Sequence, residues 1–239
     1  LFPYTTLFRS RRMELNYGIF EIGGIVLLPF LAFVINSFIV KKFTKLAVGL
    51  SCVAIFGSFL LSARVFCDFV FKTYSAGYYV HKYFTWFDLN SSFGKPFVVN
   101  MGIYIDNMTA VMLLMVSGVA FLIHIFSTYY MADDIRFGRF FVYMSLFTSA
   151  MLGLVLSDNL LSLFIFWELM GFCSYSLIGF YYEKEGAGNA SIKAFMTTRV
   201  GDVFFLLGII ALWTTVGSVT YVDIYRAVQS ADLLDNVYL

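Results

Sequence analysis

Leu160-Leu-Ser-Leu-Phe-Ile-Phe-Trp167-Glu168-Leu-Met-Gly-Phe-Cys173-Ser-Tyr-Ser-Leu-Ile-Gly179-Phe-Tyr-Tyr182 is an apolar run with one charge in it. A helix that crosses a bilayer needs about 20 predominantly apolar residues, so this stretch is long enough to span. Glu168 falls near its midpoint. A carboxylate at that depth is costly unless it is neutralised, paired or wetted, which marks it as a functional site by default. The next apolar run is broken in the same way, by Arg199 and Asp202 with Thr198 just ahead of them.

The whole chain has the composition of a membrane protein. It is 60% hydrophobic and only 13% charged, with 29 Phe and 16 Tyr, whereas soluble domains carry about 25% charged residues. A net charge of +1 gives no basic surface for nucleic acid. Cys52, Cys67 and Cys173 show no CxxC or Cys/His spacing, so they read as small apolar packing residues rather than a disulfide framework or metal site.

Six runs meet the spanning criterion: Ile22–Val40, Leu46–Ala63, Asn107–Tyr130, Phe140–Ser157, Asn159–Tyr182 and Ile192 to about Val216. They lack the alternation of barrel strands, so the expected fold is an all-α polytopic membrane protein. Lys41, Lys42, Lys45, Arg136, Arg139, Lys184 and Lys193 fall on one side and place the N-terminus outside. Arg11 and Arg12, if native, pull the other way. The loop of residues 68–105 holds two aromatic and β-branched stretches, Tyr78–Phe87 and Phe97–Ile105, around the turn-forming Ser91–Pro96. It reads as a β-hairpin between helices 2 and 3, with an aromatic belt at headgroup level as the alternative. Residues 1–12 are set aside as non-native or disordered, with Met13 as the start. The parts that follow are 13–67 (helices 1 and 2), 68–105 (outer loop), 106–218 (helices 3–6) and 219–239, an amphipathic segment opened by a capping box at Thr220–Asp223. The end at Asp235–Leu239 reads as the interior of a longer protein.

Gly171, Tyr175 and Gly179 share a helix face with Glu168. Small residues permit close helix approach, so this face is expected to pack against protein. A carboxyl balanced between desolvation and a nearby cation can bind and release protons. The alternative is a permanently protonated glutamate that only bridges helices. Arg199 and Asp202, three residues apart, can form an ion pair, with Thr198 adding a hydroxyl; a static pair is the alternative. Lys193 is either a snorkelling residue or part of a proton path. His124 is a relay group or a packing residue, and the weakest of these candidates. Glu21 and Asp106 are weaker still, because helix starts accommodate acids.

Asp106-Asn-Met-Thr-Ala110, Phe121-Leu-Ile-His-Ile-Phe-Ser127, Arg139-Phe-Phe-Val-Tyr143, Ser157-Asp-Asn-Leu-Leu161, Trp167-Glu-Leu-Met-Gly-Phe-Cys-Ser-Tyr175 and Arg199-Val-Gly-Asp202 occur in that order. Together they resemble the large antiporter-like subunit of respiratory complex I, subunit L or chain 5 of NADH-quinone oxidoreductase. The resemblance implies a proton-translocating translocase subunit. Glu168 is then its mid-membrane glutamate, Arg199 and Asp202 belong to its polar patch, and Lys193 matches the lysine before that patch. Thr198 departs from the family's usual Asn. The family's lysine on the next helix lies beyond this sequence. NADH, flavin, iron–sulfur clusters and quinone are implied on other subunits, with no cofactor or metal here. Partners would be other membrane subunits, including a neighbouring antiporter-like one, and the bilayer. The bacterial inner membrane is favoured over the mitochondrial one. The alternatives are the large subunit of a multisubunit sodium/proton antiporter and a non-transporting scaffold.

Overall fold

A computed structural model describes residues 11–12, 19–40, 43–72, 77–89 and 97–229. The predicted turn at Ser91–Pro96 and the end at Asp235–Leu239 lie outside them. The elements are β1 (Arg11–Arg12), α1 (Ile19–Ile39), α2 (Thr44–Cys67), β2 (Gly77–Leu89), β3 (Phe97–Ile105), α3 (Asn107–Tyr130), α4 (Phe137–Leu156), α5 (Leu160–Ile178), α6 (Glu185–Val216) and α7 (Tyr221–Gln229). Six of the helices, α1 to α6, are long and apolar enough to cross a membrane. β2 and β3 form the expected antiparallel hairpin, in register from Tyr79 opposite Ile105 to Leu89 opposite Phe97, with two bulges. The chain is a multi-pass membrane protein, as its composition required.

Several boundaries differ from the sequence reading. Arg11 and Arg12, set aside above, run parallel to Gly77 and Tyr78 at the edge of the hairpin. α6 begins at Glu185, about two turns before the apolar run, because its first turns hold small and polar residues that hydropathy does not register. α5 ends at Ile178, where the Gly179 N–H closes on the Tyr175 carbonyl at 3.0 Å. The predicted capping box at Thr220 gives way to another arrangement. α7 does start at Tyr221, but the Asp223 carboxylate accepts from the Ser218 hydroxyl at 2.9 Å. Cys173 is buried as expected, whereas Cys67 is exposed.

α1, α2, α3 and α4 pack as a bundle, α5 lies against α4, and α6 packs chiefly on α5. Buried residues make up 56% of the apolar window of α4 but 11% of those of α5 and α6, which puts the last two on the rim. Inside the bundle, polar side chains finish the backbone bonds that lipid cannot. Pro29 sits within α1 and has no N–H for the Ile25 carbonyl one turn earlier. The Ser58 hydroxyl of α2 donates to that carbonyl at 2.9 Å. Asn36 donates to Ser51 at 2.8 Å, and Ser145 of α4 donates to Ser51 at 2.9 Å, so one chain of bonds ties α1, α2 and α4. All three residues are fully buried. Such bonds hold membrane helices together where water provides no hydrophobic driving force.

The hairpin end of the bundle is closed by a knot around Asp158 and Asn159. Asn159 caps α5 by accepting from the Ser162 N–H at 2.8 Å. Its amide nitrogen donates to the Asn100 carbonyl of β3 at 2.8 Å and to the Asp158 carboxylate at 2.6 Å. Asn159 and Thr220 form a bridge, and the Tyr221 N–H reaches the Asp158 carbonyl at 3.1 Å. One loop therefore sets the start of α5 relative to β3 and to the end of α6. Asp106 caps α3 through the Thr109 N–H at 2.7 Å, and Glu21 pairs with Arg64 of α2 at 2.8 Å, so both weak candidates are accommodated locally.

Gly102 has no room for a side chain. A Cβ there would lie 2.7 Å from the His81 carbonyl and would collide with the Asp158 carboxylate. Gly102→Ala should destabilise the hairpin end by about 1–3 kcal/mol, as overpacking does. Gly171→Ala meets nothing within 4 Å and should be neutral or slightly stabilising, as alanine is in a helix. Thermal unfolding of the two variants in one detergent checks the contrast.

Burial raises the Asp158 carboxyl above its ordinary range, and the bond from Asn159 and the charge of Lys82 offset part of that. Between the ordinary and the raised value the folded chain keeps a proton that the unfolded chain releases. Stability contributed by Asp158 is therefore present at acid pH and falls as pH rises through that window. Thermal melts across acid pH should show this slope, and Asp158→Asn should flatten it.

Candidate functional site

Trp167 and Glu168 leave the middle of α5 and face α6. Arg199 and Asp202 stand one turn apart on the facing side of α6. Arg199 pairs with Glu168 across the interface, and it also reaches Asp202 at 3.4 Å within its own helix. The expected Arg199–Asp202 pair is present, at the long end of hydrogen-bonding distance. The Trp167 Nε1–H donates to the other oxygen of Asp202 at 2.8 Å. Glu168, Arg199 and Asp202 side chains are 26%, 32% and 12% exposed, so the cluster is half-buried and Asp202 is its deepest member. One cation lies between two carboxylates, and a neutral donor holds the second.

Aromatic rings frame this cluster. The guanidinium of Arg199 lies over the Phe195 ring at 4.4 Å, a favourable placement for a cation. Phe195 is tilted against Tyr175 at 5.2 Å, and Trp167 meets Phe205 edge-on at 6.4 Å. The helices approach closely at Gly179, where a Cβ would stand 2.9 Å from the Ser191 hydroxyl. Two residues of the predicted packed face therefore do meet α6. Gly171 does not, since nothing lies within 4 Å of its Cβ position.

The remaining candidates are elsewhere. Thr198 does not join the cluster; its hydroxyl donates to the Phe195 carbonyl at 2.9 Å and it is exposed. Lys193 is exposed too. It stands nine residues before Asp202, which at 100° per residue is the opposite side of the helix. His124 is fully buried on α3, whose packing partners are α2 and α4. Its Nδ1–H donates to the Ala120 carbonyl at 2.8 Å, its ring meets Phe141 edge-on, and its Nε2 has no partner among the described residues. Among the described residues no three His, Cys, Asp or Glu side chains converge to hold a metal ion. Trp167 is the member that sequence reasoning missed. Its place immediately before Glu168 was the available signal.

Residues 91–141 match the profile described as NADH-ubiquinone oxidoreductase (complex I), chain 5 N-terminus, and residues 157–237 match NADH:quinone oxidoreductase/Mrp antiporter, TM. Together they cover more than half of the chain. The chain belongs to the complex I chain 5 family. It is 42% identical over 214 residues to the NADH-quinone oxidoreductase subunit L of Rickettsia felis, a match covering 89% of this chain and 31% of that one. It is 45% identical over 188 residues to the F(420)H(2) dehydrogenase subunit L of Methanosarcina mazei, covering 79% and 26%. The chain thus spans about a third of the length of its curated relatives. A Mrp complex from Dietzia shares the fold, with a TM-score of 0.67 at 20% identity over 88% of this chain and 21% of that one.

Because Arg199 serves both acids, its loss leaves two carboxylates uncompensated at bilayer depth. Arg199→Leu should lower the stability of the assembled full-length protein by on the order of 3 kcal/mol, and a triple replacement with Glu168→Gln and Asp202→Asn should recover part of it. Additive losses in a mutant cycle read by thermal stability would contradict the shared pairing.

Proposed function

We propose that this chain is the proton-conducting part of a membrane subunit of an NADH:quinone oxidoreductase, with Glu168 as the exchanging group. The observation that carries the reading is Arg199 in contact with both Glu168 and Asp202 across the α5–α6 interface. While the guanidinium faces Glu168 it favours the ionised carboxylate and hence proton release. When it turns to Asp202, already 3.4 Å away, Glu168 is left without its counter-charge and takes a proton up. The movement is a side-chain swing over the Phe195 ring.

Moving a charge against the membrane potential takes about 2.3 kcal/mol per 100 mV. The swing must therefore be driven from outside the cluster. We assign that drive to electron transfer from NADH to quinone on other subunits, which would hold the flavin, iron–sulfur clusters and quinone. The exposed Lys193 supplies a place for protons to approach α6. His124, with its open Nε2, is a second titratable group inside the spans and can take part only through water. The lysine and arginine distribution supports an N-terminus and hairpin on the outer side, and the bacterial inner membrane is the setting we favour.

A second reading is the large subunit of a multisubunit sodium/proton antiporter, favoured by the Mrp fold match. Sodium dependence of transport separates the two. Glu168→Gln in the full-length subunit keeps shape and removes the titrating group. Proton transfer coupled to NADH oxidation should be mostly lost while assembly is retained. Normal pumping with that substitution would show Glu168 to be structural.

A further inference from the structure

We infer that Trp167 is a positioning residue whose indole N–H holds Asp202 and so leaves Arg199 to Glu168. The inference rests on the proton role proposed above for Glu168. One guanidinium faces two carboxylates, and the site contains one further donor to Asp202. The Trp167 bond to Asp202 Oδ1 is 2.8 Å, a normal hydrogen bond. The Arg199 contact with Oδ2 is 3.4 Å, beyond the usual range for a charge-assisted bond. Asp202 is thus held by the tryptophan and only approached by the arginine.

The chemistry of the donor matters. An indole N–H donates and cannot accept, and it does not titrate near neutral pH. It can satisfy Asp202 without competing for the proton that Glu168 exchanges. A lysine or histidine in its place would add a charge or a second titration. The geometry also links the two contacts. Trp167 and Glu168 are neighbours on one turn of α5, and they reach Asp202 and Arg199, one turn apart on α6. A single rotation of α5 against α6 sets both bonds, so the tryptophan fixes the register in which Arg199 meets Glu168.

The test replaces Trp167 by β-(3-benzothienyl)alanine in the full-length subunit of the intact, membrane-embedded complex. This swap puts sulfur where the N–H was and preserves ring shape and packing on Phe205. Proton transfer per electron should fall on the order of tenfold, as expected for losing one hydrogen bond to a charged group. In an Asp202→Ala background the same swap should cause no further loss, because the acid it holds is gone. Unchanged pumping after the swap would overturn the inference, and so would an equal loss in both backgrounds, which would show that Trp167 acts through packing alone. Glu168→Gln is measured alongside. If that variant pumps normally, the proton role of Glu168 fails. If it is inactive and the sulfur variant pumps normally, only the role of Trp167 fails.

Discussion

A charge at bilayer depth must find its counter-charge inside the protein, and everything around α5 and α6 follows from that. Arg199 is neutralised by Glu168 and Asp202 together, which commits those two helices to one rotation and one register. Gly179 lets the first turns of α6 come close to α5. At the other end, the Asn159 knot fixes where α5 begins and ties it to the residues just after α6. The ion pair therefore lies between two anchor points on the same pair of helices. With three charged groups on one interface, net charge is −1, so a proton on either acid brings the cluster to neutrality. That arithmetic supports the proton role proposed above for Glu168.

The bundle of α1 to α4 solves a different problem with the same means. Its helices have few charges to pair, but they carry serines and an asparagine at fully buried positions. Ser58 completes the backbone opened by Pro29, and the Asn36–Ser51–Ser145 chain joins three helices. Bonds of this kind contribute about 1 kcal/mol or less each in membranes. They are directional, so their main effect is to select one packing among many that lipid would tolerate. The result is a fixed wall, α4, against which α5 rests.

Much of this was legible in the sequence. Long apolar runs identify membrane helices because lipid offers no alternative backbone partner, and Asn107–Tyr130 and Phe97–Ile105 were read to the residue. Glu168, Arg199 and Asp202 stood out because each breaks an apolar run. What did not show was which of them meet. Spacing along one helix revealed the Arg199–Asp202 contact, whereas the Arg199–Glu168 and Trp167–Asp202 contacts depend on how α5 is rotated against α6. Sequence periodicity carries no such information for helices apolar nearly all round. Lys193 was drawn in by its place ahead of the polar patch, and the turn of the helix puts it on the opposite side; Thr198 shares a face with Asp202, but its hydroxyl is spent on the Phe195 carbonyl. The first turns of α6 escaped because polar helical residues outside the apolar slab leave no hydropathy signal.

In the proposed cycle, Glu168 changes its protonation state as Arg199 changes partner. Infrared difference spectroscopy of the full-length subunit in its intact complex, with isotope-labelled glutamate carboxyls, reads this directly during turnover. A protonated carboxyl band should rise and fall with NADH oxidation and be missing from Glu168→Gln. A glutamate spectrum identical at rest and during turnover would contradict it.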